Sequence, residues 1–151
     1  MSDAGLGGAL VKLLNPANLR IPSEPRDTPC LLGGRCHECG HVVFPKMPVC
    51  PACRRNGTVD EVEIGRTGKI YSHTIAHVAP QGFSAPFFQI FLDLPEGPRI
   101  FALVGSECPV EPGVLEDGME MRLVVEPVAD TPARKDVLTY KYVPAHLGGS
   151  A

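Results

Sequence analysis

The sequence predicts a mainly β protein: a short N-terminal helix, a small ribbon held by four cysteines, and a closed β-barrel. Three observations carry that expectation. Two Cys-x-x-Cys pairs, Cys36/Cys39 and Cys50/Cys53, stand ten residues apart. Sixteen Gly and sixteen Pro among 151 residues favour short strands and turns over long helices. From about residue 58 onward, apolar and polar residues alternate with a period of two in one segment after another.

The cysteine pairs are the most specific feature. Each Cys-x-x-Cys closes a tight turn that aims two sulfurs at one point, and the hairpin between them brings the turns together. Gly40 follows the first pair, where such a turn needs positive φ, and Pro51 stiffens the second. The segment from about Leu31 to Asn56 therefore reads as a rubredoxin-like zinc ribbon, with Cys36, Cys39, Cys50 and Cys53 as ligands of a structural Zn2+ ion. Iron suits the same four sulfurs, because ligand type alone does not separate the two metals. Four protein sulfurs leave no open position for water or substrate, so the site is structural. A ribbon this small buries too little to fold alone, and metal binding supplies on the order of 10 kcal/mol in such sites. His37 and His41 lie close by and read as surface or supporting groups.

Other uses of the cysteines fit less well. Disulfides need an oxidising compartment, and the start Met-Ser-Asp-Ala-Gly lacks the basic region of a signal peptide, so a cytoplasmic location is expected. A thioredoxin-type redox pair would be a single motif on a βαβ unit. Cys30 and Cys108 are left over and are expected to be free, buried thiols.

Composition narrows the class. The chain is 44% hydrophobic and 21% charged, ordinary for a soluble globular protein. No apolar run approaches the roughly 20 residues of a membrane span. A net charge of -3 gives no general attraction to nucleic acid. Charge is uneven: residues 26–60 carry five basic and three acidic side chains, and the rest of the chain is acidic.

In chain order, residues 5–15 predict a helix, with Leu6, Leu10 and Leu14 on one face and Asn15-Pro16 ending it. So short a helix must dock on something. Residues 18–28 read as an extended connector with little packing, so residues 1–28 form a first unit and 29–57 the ribbon. The barrel is expected over 58–145 and a flexible tail over 146–151. Its strands are predicted over 58–64, 69–78, 87–94, 99–104, 119–128 and 137–143. In the second, strict alternation puts Ile70 on one face and Tyr71, His73, Ile75 and His77 on the other. The loop after it holds Phe83, an exposed apolar side chain suited to gripping a ligand or partner. About five such strands with a central hairpin fit a small OB-like barrel, with a small sandwich as the alternative.

This order resembles a known family. The residues that carry the resemblance are Gly34-Arg35-Cys36, Cys39-Gly40, Phe44-Pro45, Cys50-Pro51 and Cys53, then Gly68-Lys69-Ile70-Tyr71-Ser72 opening the barrel and Gly118-Met119 before a late strand. They are similar to the acyl-CoA-associated zinc-ribbon/OB-fold family, over most of the chain from about Leu6 to Pro144. The resemblance implies a non-catalytic subunit bound to a thiolase-like catalytic subunit. The ribbon would be structural or docking, and the barrel would help form the acyl-CoA site of the complex. Within the family, the length and the Asn15-Pro16-Ala17-Asn18 segment resemble the small-subunit branch serving benzoylsuccinyl-CoA cleavage in anaerobic toluene degradation. By residue type, Arg54, Arg55, Arg66 and Lys69 are candidates for the CoA phosphates, and Phe83 and Phe87 for the acyl group or the partner.

The residues agree on one point: no nucleophile with a nearby base is apparent, although thiolase chemistry needs an activated Cys with His partners. Two other functions compete. A zinc ribbon beside an OB barrel also suits single-stranded nucleic acid, which calls for a basic groove with stacking aromatics. The predicted barrel is acidic, and most of its Phe residues fall where a core needs them. A stand-alone enzyme would rely on His73 and His77, which lack a third ligand or an orienting acid near in sequence and read as a partly exposed strand face.

Overall fold

A computed structural model describes residues 12–21, 28–129 and 134–147. Among them there is no helix, and ten strands form two sheets. The helix predicted over 5–15 is therefore a correction where it can be compared. Most of it lies outside the described residues, and its end, β1 (Lys12–Leu13), is a strand that runs parallel to the start of β10 (Val137–Pro144). Three leucines at helical spacing say nothing about a waiting sheet edge, and that edge wins.

The smaller sheet is built on β3 (Cys30–Cys36). On one side β3 pairs over six positions with β5 (Val59–Ile64). On the other it takes β2 (Leu19–Arg20) and then β4 (Val42–Val43). The connector thus packs more than its composition predicts, since Leu19 is buried in the core. Gly33 lets the strands close up: a Cβ there would fall 2.8 Å from the Val43 carbonyl oxygen.

The larger sheet is the barrel. β6 (Thr67–Ala76) pairs with β9 (Glu120–Pro127) over its first three residues and with β7 (Phe87–Asp93) beyond. β7 continues into β8 (Arg99–Leu103), and β9 pairs with β10. A parallel bridge, Val104 to Tyr142, and the Gly105 N–H to Tyr142 carbonyl hydrogen bond at 2.9 Å join β8 to β10. The circuit β6-β7-β8-β10-β9 is a five-stranded barrel of the OB type. The predicted strands recur within a few residues, because strict alternation between turns leaves little ambiguity.

One face assignment fails for a local reason. A bulge between Ile70 and Ser72 makes Tyr71 an extra residue. Beyond it the parity reverses, so His73 and Ile75 lie opposite Ile90 and Phe88 on the inner face, together with Ile70. A single inserted residue in a strand flips every side chain after it.

Ile90, Leu92, Met121 and Tyr142 fill the barrel, and the same cluster continues through Leu31 and Ile64 under the smaller sheet. Burying each such side chain stabilises the fold by about 1.5–3 kcal/mol. The two sheets meet at Gly65 (φ 76), whose carbonyl accepts the buried Tyr142 hydroxyl at 2.6 Å. A Cβ at Gly65 would lie 2.9 Å from that hydroxyl. Phe44 of the ribbon adds an edge-to-face contact with Tyr140, ring centroids 6.0 Å apart.

Candidate metal centre and ligand-contact residues

The two knuckles are built alike. Cys36 ends β3, its N–H donates to the His41 carbonyl and its own carbonyl accepts from the Gly40 N–H. Cys50 repeats both bonds with Arg55 and Arg54. The fourth residue after the leading cysteine takes positive φ in each: Gly40 at 82° and Arg54 at 66°. The glycine was legible in advance; the arginine carries the same turn against its Cβ.

These turns bring the four sulfurs of Cys36, Cys39, Cys50 and Cys53 within 4.8 Å of one another. The Cys36–Cys53 and Cys39–Cys50 separations are 3.7 and 3.6 Å. A tetrahedral metal with sulfurs at about 2.3 Å requires an edge of roughly 3.8 Å, so the set fits. The Thr58 hydroxyl lies 3.3 Å from the Cys36 sulfur. This bond, with the backbone N–H groups of Cys39 and Glu38, lowers the Cys36 thiol to about 6, while desolvation and the crowding of the other sulfurs push Cys39 and Cys53 up; the four thiols share protons as one set. Thr58 was missed in the sequence, where a Thr after Gly57 looks like any turn residue. Arg55 pairs with Glu38 at 2.8 Å and His37 with Asp60 at 2.9 Å, bracing the rim as supporting groups.

The candidate CoA and partner contacts fall in four separate places. Arg54 and Arg55 lie at the ribbon tip, and Arg55 is held by Glu38. Arg66 is at the sheet junction, hydrogen-bonded to Glu63 and Thr28. Lys69 stands on β6 opposite Asp93 on one side and Glu120 on the other. Phe83 is half-buried, 5.0 Å beneath the Arg134 guanidinium, and Phe87 starts β7 nearby. Lys69 and Phe87 mark opposite ends of the β6–β7 pairing, on the order of 23 Å apart at about 3.3 Å per residue.

His73 is better placed than the sequence implied. Its Nδ1 lies 2.8 Å from Asp117, an acid 44 residues away brought in by the loop before β9. His77 is exposed beyond the end of β6. Among the described residues the four cysteines are the one cluster with metal-ligand geometry, so the two histidines do not form a second. Cys30 and Cys108 are free and buried as expected, and burial raises both thiols.

A ribbon with a four-sulfur centre, joined to an OB-type barrel through a shared core, defines a small zinc-ribbon/OB protein. Comparison with known proteins agrees. Residues 24–59 match the profile "ChsH2, rubredoxin-like zinc ribbon domain", and residues 61–126 match "ChsH2, C-terminal OB-fold domain". The chain is 35% identical over 115 residues to a DUF35 domain-containing scaffold protein of Methanocaldococcus jannaschii, covering 75% of this chain and 79% of that one. It is 32% identical over 132 residues to the benzoylsuccinyl-CoA thiolase subunit BbsA of Thauera aromatica, covering 87% and 88%. The solved structure of an Ltp2-ChsH2(DUF35) aldolase superposes with a TM-score of 0.61 at 28% identity, covering 77% and 85%. The chain belongs to the ChsH2/DUF35 family of zinc-ribbon/OB-fold proteins.

Proposed function

We propose that this chain is a non-catalytic subunit of an acyl-CoA thiolase-like enzyme, docked on a thiolase-fold catalytic subunit and helping to form its acyl-CoA site. The observation that carries the reading is the nearly end-to-end match to a thiolase subunit, 87% of this chain against 88% of that one. The thiols support it. Outside the four-sulfur set there are Cys30 and Cys108, both buried and both held towards the neutral form, unlike an activated nucleophile. The catalytic Cys then belongs to the partner.

The four cysteines would hold a structural Zn2+ ion, which supplies folding energy and no step of the reaction. Cys36, Cys39, Cys50 and Cys53 anchor the ribbon, and the ribbon and barrel present the surface. For the acyl-CoA, Arg54 and Lys69 are the candidates that form no ion pair within 4 Å among the described residues, whereas Arg55 and Arg66 serve Glu38 and Glu63. Phe83 and Phe87, with Arg134, offer an apolar contact at the far end of β6. Since these places lie apart, the CoA thioester would lie between subunits and meet this chain at part of its length.

The test is purification from native extract with metal analysis. A thiolase-like protein at comparable amount, with one zinc per chain, supports the reading. Benzoylsuccinyl-CoA is the first substrate to assay, since a second BbsA, from Geobacter metallireducens, is 28% identical over 132 residues. Cleavage by the pair and by neither protein alone is the expected result. A visible charge-transfer band in the purified chain would replace zinc with iron.

A further inference from the structure

We infer that the catalytic subunit seats on the outer face of the β6–β7–β8 meander, centred on Tyr71, Phe91 and Phe101; this rests on the accessory-subunit reading. These three rings are 52%, 45% and 47% exposed. Phe91 and Phe101 are cross-strand partners, packed edge to face at 5.7 Å, and Tyr71 is the bulge residue beside them. The barrel needs no aromatic there. Ile70 and Ile75 already face the core, and the bulge aims Tyr71 outward, a device that re-aims side chains at functional surfaces.

The patch continues into a groove. Arg99 lies 3.4 Å over the Tyr71 ring and also lines a cleft of 580 Å³ between the ribbon arm and the β7–β8 turn. Phe44 and the exposed Met47 form the ribbon side of that cleft. Ribbon and barrel therefore offer one continuous surface of Tyr, Phe, Met and Arg, the residue types enriched at the buried centres of protein interfaces.

Charge selects the occupant. Arg99 is neutralised by Asp93 through two hydrogen bonds, at 2.6 and 3.2 Å, and Lys69 is flanked by Asp93 and Glu120. A polyanion or an anionic bilayer needs a net positive rim, which this face lacks. An apolar, uncharged patch on a protein is the complementary partner.

The experiment compares the wild-type chain with the Phe91→Ser/Phe101→Ser double variant and a Glu111→Ala control in the exposed loop between β8 and β9, outside the meander. Affinity is measured for the thiolase-fold protein that co-purifies with the chain. The double variant should bind about 30-fold or more weakly while keeping its metal, and the control should bind as wild type. Hydrogen exchange on the wild-type chain gives a second readout that needs no variant: the partner should protect residues 87–103. Unchanged affinity with protection confined elsewhere overturns the docking face and leaves the accessory reading standing. If no thiolase-fold protein binds the wild type, both fall. Binding of oligothymidylate, or self-association on a sizing column, lost in the double variant would overturn the proposal and give the face to nucleic acid or to a second copy.

Discussion

Arg54 and Gly40 hold the same turn in the two knuckles, yet one has a Cβ and the other does not. A left-handed conformation costs a non-glycine residue about 1 kcal/mol. Arg54→Gly should therefore raise the free energy of unfolding by about 0.5–1 kcal/mol in the zinc-loaded protein. Gly40→Ala should lower it by a similar amount, and urea titration of both variants checks the opposite signs. Tyr142 makes a different demand. Its hydroxyl satisfies the Gly65 carbonyl at 2.6 Å in the fully buried junction, where burial holds the phenol far above its usual range. Tyr142→Phe leaves that carbonyl without a donor and should cost about 1–3 kcal/mol by the same titration. Neither effect could be ranked from sequence, since Arg54 looks like a solvated turn residue and Tyr142 like one more alternating aromatic.

Among the elements, β3 couples the metal centre to the barrel: it ends in Cys36 and pairs along its length with β5. Chelation of the metal should release hydrogen-exchange protection first in residues 36–58, while β7 and β9 remain protected by their own core. Simultaneous loss in all of them would show that the ribbon is a folding prerequisite for the barrel. The junction also carries a pH dependence. Glu63 accepts from Arg66 and also pairs with Arg20, and these contacts hold its carboxyl below the ordinary 4.5. A folded value below the unfolded one means the contribution is fully present above about pH 4.5 and is lost as pH falls through the depressed value. The urea midpoint of the wild type should decline on acidification below that point, and Glu63→Gln should flatten the decline. All three groups are exposed, so the change should be small.

For the whole molecule, the prediction is dependence on a partner. The chain alone should cleave no acyl-CoA, and the pair should. The aromatic face of β6–β8 should disappear from solvent when the pair forms. A substitution there should change affinity without changing metal content, whereas a ligand cysteine substitution such as Cys39→Ser should lose metal first. Measuring bound zinc and partner affinity on the same samples separates the two.

Two spacings determined much of this protein in advance. The paired cysteines specify a four-sulfur site because few other geometries use them. The period-two segments specify short strands packed over one core, which left a barrel and a sandwich both open; the β8–β10 closure decides for the barrel. The family resemblance followed from the same residues, and the comparisons bear it out. The end of the predicted N-terminal helix was misjudged because helix spacing is a local signal, whereas the parallel pairing of Lys12–Leu13 depends on β10, more than a hundred residues later. The faces of β6 were misassigned because a bulge is decided by the ladder it sits in. The His73–Asp117 pair, the Thr58 contact with Cys36 and the exposed Tyr71–Phe91–Phe101 face likewise join residues far apart in sequence or depend on strand register. Only the folded chain sets those distances, because contacts across a barrel are fixed by pairing and closure, and neither is written in any one stretch.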